Sequence, residues 1–153
     1  MCYRVACQSA DLIAGIASLA GATFLDPSLY TPSELVNILE IHCTGDANVP
    51  YAGGAVTPAI GAPCYMPAFP GALQNVQTWA GYNGSSGPLA DAAPSLDLTT
   101  DVAGLDTVVT RYTNCPPGGA VELWTILGGS HNINLSSQFS PLVIDWLLAH
   151  PKP

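Results

Sequence analysis

Charge is what this sequence has least of. Only 9% of its 153 residues are Asp, Glu, Lys or Arg, where about 25% is usual for a soluble domain. Arg4, Arg111 and Lys152 are the only strong cations, and the formal net charge is -8. Such a balance repels a phosphate backbone or an anionic bilayer, which argues against nucleic acid and membrane as partners. The apolar runs at 12–20 and 35–41 fall well short of the roughly 20 residues that span a bilayer. The opening Met-Cys-Tyr-Arg-Val-Ala-Cys lacks the charged start, apolar middle and small-residue cleavage site of a signal peptide. Cys2, Cys7, Cys43, Cys64 and Cys115 include no C-x-x-C pair and no histidine ladder, so neither a metal nor a cofactor is expected. Cys64 and Cys115 lie in Pro/Gly-rich loops and could pair, although spacing does not fix connectivity. Internal repeats and low-complexity tracts are absent too.

What is present is apolar. Hydrophobic residues make up 48% of the chain, and a chain of this length is expected to form one domain, 1–153, around one core. The first ten residues read as the tail of a helix. The runs 12–21 and 35–43 (LVNILEIHC) are rich in branched and small residues and end near glycine, as strands buried on both faces of a parallel sheet do. Residues 47–70 carry Pro50, Pro58, Pro63, Pro67 and Pro70 and read as a long loop. Leu73, Val76, Trp79 and Ala80 stand at helical spacing, which predicts an amphipathic helix over 71–82, and 83–104 reads as loop. Alternation over 107–113 and 120–127 predicts a hairpin forming one side of the sheet. Phe139, Leu142, Val143, Trp146 and Leu147 mark one stripe of a C-terminal helix over 136–150. The fold class is α/β, with two parallel strands plus a C-terminal hairpin, flanked by helices.

Two residues stand where chemistry can occur. Asp46 follows a buried strand, at the sheet edge where α/β proteins place ligand and catalytic groups. A carboxylate there can accept the Nδ1–H of an imidazole and stabilise an imidazolium; Gly-Asp is also ordinary turn chemistry. His131 follows the strand VELWTIL and the turn Gly128-Gly129-Ser130, and is either a solvated loop residue or a general base poised near neutrality. His42, inside a buried strand, reads as a hydrogen-bonded structural residue, and His150 as a helix-terminal one. No G-x-S-x-G nucleophile elbow occurs. Ser85 and Ser86 are neither preceded by a strand nor followed directly by a helix, and Ser130 adjoins His131 too closely to share a point with it.

Taken in order, Tyr3-Arg-Val-Ala-Cys7, Ile41-His-Cys-Thr-Gly-Asp46 with Val49-Pro-Tyr51, and Val121-Glu-Leu-Trp-Thr-Ile-Leu-Gly-Gly-Ser-His131 resemble the polyhydroxybutyrate depolymerase and feruloyl-esterase group of secreted α/β-hydrolases. The resemblance implies a partial α/β-hydrolase fold whose N-terminal half is missing, with Asp46 as the triad acid and His131 as the general base. It also implies a serine a few residues upstream of Met1, an oxyanion hole lost with it, an ester substrate, and an extracellular or periplasmic location. Cys43 stands where that group has a glycine, and Asn132 where it often has a tryptophan. Ser85 and Ser86 occupy the region of a cysteine that in the group bridges to one like Cys115.

Two functions follow as expectations. One is a carboxylic ester hydrolase fragment that carries the acid and the histidine, lacks the nucleophile and is inactive alone. The other is a non-catalytic binding or assembly module that self-associates as a homo-oligomer through an exposed sheet edge.

Overall fold

The computed structural model describes residues 1–55, 68–92 and 94–153. In chain order the elements are α1 (Cys2–Gln8), β1 (Gly15–Leu19), a 3-10 turn (Pro27–Leu29), β2 (Asn37–Cys43), β3 (Gly53–Gly54), β4 (Phe69–Pro70), α2 (Ala72–Tyr82), β5 (Leu89–Asp91), β6 (Thr107–Tyr112), β7 (Val121–Ile126) and α3 (Phe139–Ala149). The main sheet has five strands in the order β1-β2-β7-β6-β5. β1 pairs parallel with β2 (Gly15 opposite Asn37), and β2 parallel with β7 (Cys43 opposite Ile126). β6 and β5 continue antiparallel.

The structure corrects three expectations. The hairpin of β6 and β7 does not lie wholly to one side: β7 enters the centre beside β2 and makes the parallel part three strands wide. Its side chains explain the placement, since Val121, Glu122, Leu123, Trp124 and Ile126 are all buried, as expected of a strand covered on both faces. Within 83–104, read as loop, Leu89–Asp91 adds the fifth strand. Three residues are too few for a period to show. The first strand also begins later than expected, at Gly15, because Leu12 lies in a turn and is exposed.

Every residue of β2 is buried, and alternation divides them between two layers. Ile38 joins Tyr3 and Ala6 of α1 and Val76 and Trp79 of α2 on one face. Leu39, Ile41 and Cys43 join Val109, Trp124, Ile126 and Trp146 on the other, under α3. α2 buries Ala72, Asn75, Val76, Trp79 and Ala80, the i, i+3, i+4, i+7, i+8 stripe of an amphipathic helix. Truncating the fully buried Trp79 would cost about 3–5 kcal/mol. In α3 the expected stripe packs around Trp146, while Ile144 and Leu148 face outward.

Buried asparagines join the layers. Asn37 donates to the carbonyls of Ala14 and His150 and accepts from Ala120 N–H. Asn83, closing α2, donates to the Val36 and Gly119 carbonyls. The ends of 47–70 meet in the short ladder of β3 and β4. Cys64 lies outside the described residues; Cys115 carries a free thiol beside the Ser85 hydroxyl.

Candidate functional site

Because β2 and β7 are parallel neighbours ending in register at Cys43 and Ile126, the loops that follow them start side by side. Hydrogen bonds hold the loops together: Thr44 N–H to the Ile126 carbonyl at 2.9 Å, Gly45 N–H to the Gly129 carbonyl at 3.1 Å, and Gly128 N–H to Thr44 Oγ1 at 2.8 Å. Gly128 adopts φ +84°, a conformation glycine takes without steric cost. Asp46 and His131, the two residues singled out from the sequence, are thereby brought together.

Their contact is direct. His131 Nδ1 donates to Asp46 Oδ2 at 2.8 Å; a carboxylate only accepts, so the ring nitrogen carries the proton. Asp46 Oδ1 accepts two backbone bonds, from Asn48 N–H at 2.9 Å and Val49 N–H at 2.8 Å. The carboxylate is 1% exposed, whereas the imidazole is 36% exposed. With Nδ1 occupied, Nε2 is the unbound nitrogen of His131, and among the described residues no hydroxyl hydrogen-bonds to it. Ser130 Oγ turns to the Asn132 carbonyl, and Ser85 lies against Cys115 beside the hairpin.

A second layer lies beneath this pair, and sequence reasoning missed most of it. Alternation along β2 puts Glu40 and His42 on the α1 face, both fully buried. Tyr3 donates its hydroxyl to Glu40 Oε2 at 2.6 Å. Glu40 Oε1 stands 3.4 Å from His42 Nδ1, and neither atom has another partner. His42 Nε2 meets the Val49 carbonyl at 2.8 Å and lies 3.7 Å from Asp46 Oδ2. Tyr51 packs edge-on against the His42 ring, its hydroxyl bonded to Thr125 Oγ1.

Burial pushes the Glu40 carboxyl up to about 7, against the opposing pull of its His42 and Tyr3 bonds. For His42 burial acts downward, but the Glu40 and Val49 contacts and the Glu40 and Asp46 charges outweigh it and raise its affinity for a proton. The signal available beforehand was a glutamate and a histidine two apart inside an otherwise apolar strand. His150 closes α3, stacked on Trp146 with Nδ1 on the Trp146 carbonyl.

No family model matches the chain. Over 128 residues the chain is 32% identical to feruloyl esterase B of Piromyces equi, a stretch that covers 82% of this chain. The chain spans about a fifth of that relative's length, the match covering 21% of it. The similarity indicates an esterase-like relationship. Among the described residues no helix is long and apolar enough to cross a membrane.

Proposed function

We propose that Asp46 and His131 are the acid and the general base of a carboxylic ester hydrolase site. The 2.8 Å bond from His131 Nδ1 to a buried carboxylate carries the reading. It fixes the tautomer in which Nε2 has a free lone pair, on a ring that is partly exposed. A serine hydroxyl brought to Nε2 would lose its proton to the ring as its oxygen attacks the ester carbonyl. Asp46 would stabilise the imidazolium so formed, and His131 would return the proton to the departing alcohol. Water would then release the acyl group by the same exchange. The name of the similar protein, feruloyl esterase B, supports ester chemistry over other acyl transfers.

The serine in this proposal precedes α1. Tyr3, in the first turn of α1, reaches Glu40, which adjoins His42 and through it Asp46, so the start of α1 is linked to the site by a short chain of contacts. With no hydroxyl bonded to His131 among the described residues, residues 1–153 by themselves are expected to hydrolyse p-nitrophenyl acetate no faster than free imidazole. Loss of a triad serine alone costs on the order of a million-fold in kcat. The test adds, ahead of the chain, a strand–turn–helix segment of a serine esterase that carries a G-x-S-x-G elbow and its oxyanion donors. Saturable turnover should appear and be removed by His131→Ala or by loss of the elbow serine. Turnover in the joined protein that survives His131→Ala would sink the reading.

A second reading, self-association without catalysis, draws on β1. It is an edge of the sheet among the described residues, with Leu12 exposed ahead of it and Leu19 exposed at its end, and an unpaired edge can template pairing with another chain. Light scattering decides: a concentration-dependent dimer supports it, and a monomer at high concentration removes it.

A further inference from the structure

We infer that His42, held from beneath by Glu40, is a positioning residue that keeps Asp46 where it receives the His131 Nδ1–H. The inference rests on the reading of Asp46 and His131 as acid and base. It starts from the direction of the hydrogen bonds. The Val49 carbonyl only accepts, so His42 Nε2 must carry a proton to bond it at 2.8 Å. Val49 is then held at both ends, since its N–H donates to Asp46 Oδ1 at 2.8 Å while its carbonyl accepts from His42. Together these bonds fix the turn 46–49 that sets the angle of the Asp46 carboxylate.

With Nε2 protonated, the opposite nitrogen faces Glu40 Oε1 at 3.4 Å, and both atoms are buried without another partner. Two bare acceptors in that position would repel each other in a dry interior. One proton must therefore lie between them, on Glu40 as a neutral acid or on His42 as imidazolium. The Tyr3 hydroxyl holds the other carboxyl oxygen at 2.6 Å and aims the group. When the proton is on His42, a cation stands 3.7 Å from Asp46 Oδ2. A buried carboxylate needs such compensation. The strong cations are engaged elsewhere or exposed: Arg111 pairs with Glu122, Lys152 with Glu34, and Arg4 lies on the open side of α1.

Nitrogen-15 NMR of the histidine side chains tests this without relying on turnover. In the unaltered chain His131 should show its proton on Nδ1 as a downfield, slowly exchanging signal, and His42 should show a proton on Nε2. A His42 protonated on Nδ1 alone would overturn the inference, whatever the variants do. His42→Leu keeps bulk but cannot donate, and should abolish the His131 Nδ1–H signal or speed its exchange about tenfold or more. His42→Gln, which retains an N–H donor, should restore part of it. A folded His42→Leu chain with the His131 signal unchanged would also overturn the inference. Absence of the Nδ1–H signal in the unaltered chain would instead remove the acid–base reading, so the two failures are distinguishable.

Discussion

Gly45 passes so close to Gly128 that a methyl group on it would stand 2.8 Å from the Gly128 carbonyl oxygen, and 2.9 Å from that of Gly129. Backbone atoms cannot swing aside as a side chain can. The loops after β2 and β7 approach this closely because residue 45 has no side chain, and the approach is what brings Asp46 to His131. Gly45→Ala should therefore separate the loops, at a cost of about 1–3 kcal/mol from overpacking. Denaturant unfolding measures the stability change, and the His131 Nδ1–H signal reports the contact. An alanine variant with unchanged stability and an unchanged signal would show that the loops meet for another reason.

Asp46→Asn separates geometry from charge. The asparagine oxygen can still accept from Asn48 and Val49 N–H, which bond Oδ1 in the native chain. Its amide nitrogen would then face His131 Nδ1, where Asp46 Oδ2 now sits at 2.8 Å. An amide donates, so the ring must offer a bare nitrogen and move its proton to Nε2. That tautomer has no lone pair for a hydroxyl proton, the fault that makes the corresponding change so damaging in serine hydrolases. The expected outcome is a folded chain whose His131 nitrogen-15 pattern is reversed. Stability should fall by roughly 1–3 kcal/mol, as when a buried charge-assisted bond is lost. Retention of the Nδ1 proton would contradict the geometry.

The sequence was most legible where one local rule governs. Helical spacing located α2 and α3, and the continuous apolar run located β2, since each signal is complete within about ten residues. β7 was legible as a strand but not as a central one, because its neighbour β2 is 83 positions away in the register pairing Ile38 with Val121. Asp46 and His131 could be read from position, each just past a buried strand. Glu40 and Tyr3 could not, since a glutamate in a strand acquires meaning only when α1 closes over it and delivers the Tyr3 hydroxyl. His42 was read as a bonded residue of a buried strand; its reach to Val49 depends on how the loop folds back.

Stability should decline as pH rises through the range set by the buried pair. Burial moves the Glu40 carboxyl from 4.5 to about 7. Between these values the folded chain keeps a proton that the unfolded chain has released, so the folded state binds more protons and unfolding free energy falls with increasing pH. His42 acts with the same sign: burial opposes its proton, but contacts with Glu40 and Val49 hold it more tightly than in the unfolded chain. The exposed Asp26 and Asp101, both lowered from 3.8 by hydrogen bonds, act with the opposite sign and only in more acid solution. Melting temperatures from about pH 4.5 to 8 should therefore drift downward. Glu40→Gln should flatten that drift, by a difference on the order of 1–3 kcal/mol across the range. A slope that rises, or one that Glu40→Gln leaves untouched, would mean that the pair does not share a proton as argued.

Ser85→Cys should create a disulfide with Cys115. The Ser85 hydroxyl lies directly against the Cys115 sulfur, which is a free thiol and also donates to the Tyr112 carbonyl. Ser85 follows α2 and Cys115 sits in the turn joining β6 to β7, so a bond between them would tie the helix to the hairpin across 30 positions of sequence. Closing a loop of that length removes chain entropy from the unfolded state worth about 3–4 kcal/mol, less any strain in the new bond. For a chain of this size each kcal/mol corresponds to roughly 2–4 °C in Tm. Oxidised Ser85→Cys should therefore melt several degrees higher, lose the gain on reduction, and titrate with one fewer free thiol than the unaltered chain. Adding Cys115→Ser must abolish the gain; if it persists, the new cysteine has bonded elsewhere and the contact between residues 85 and 115 is not the one described.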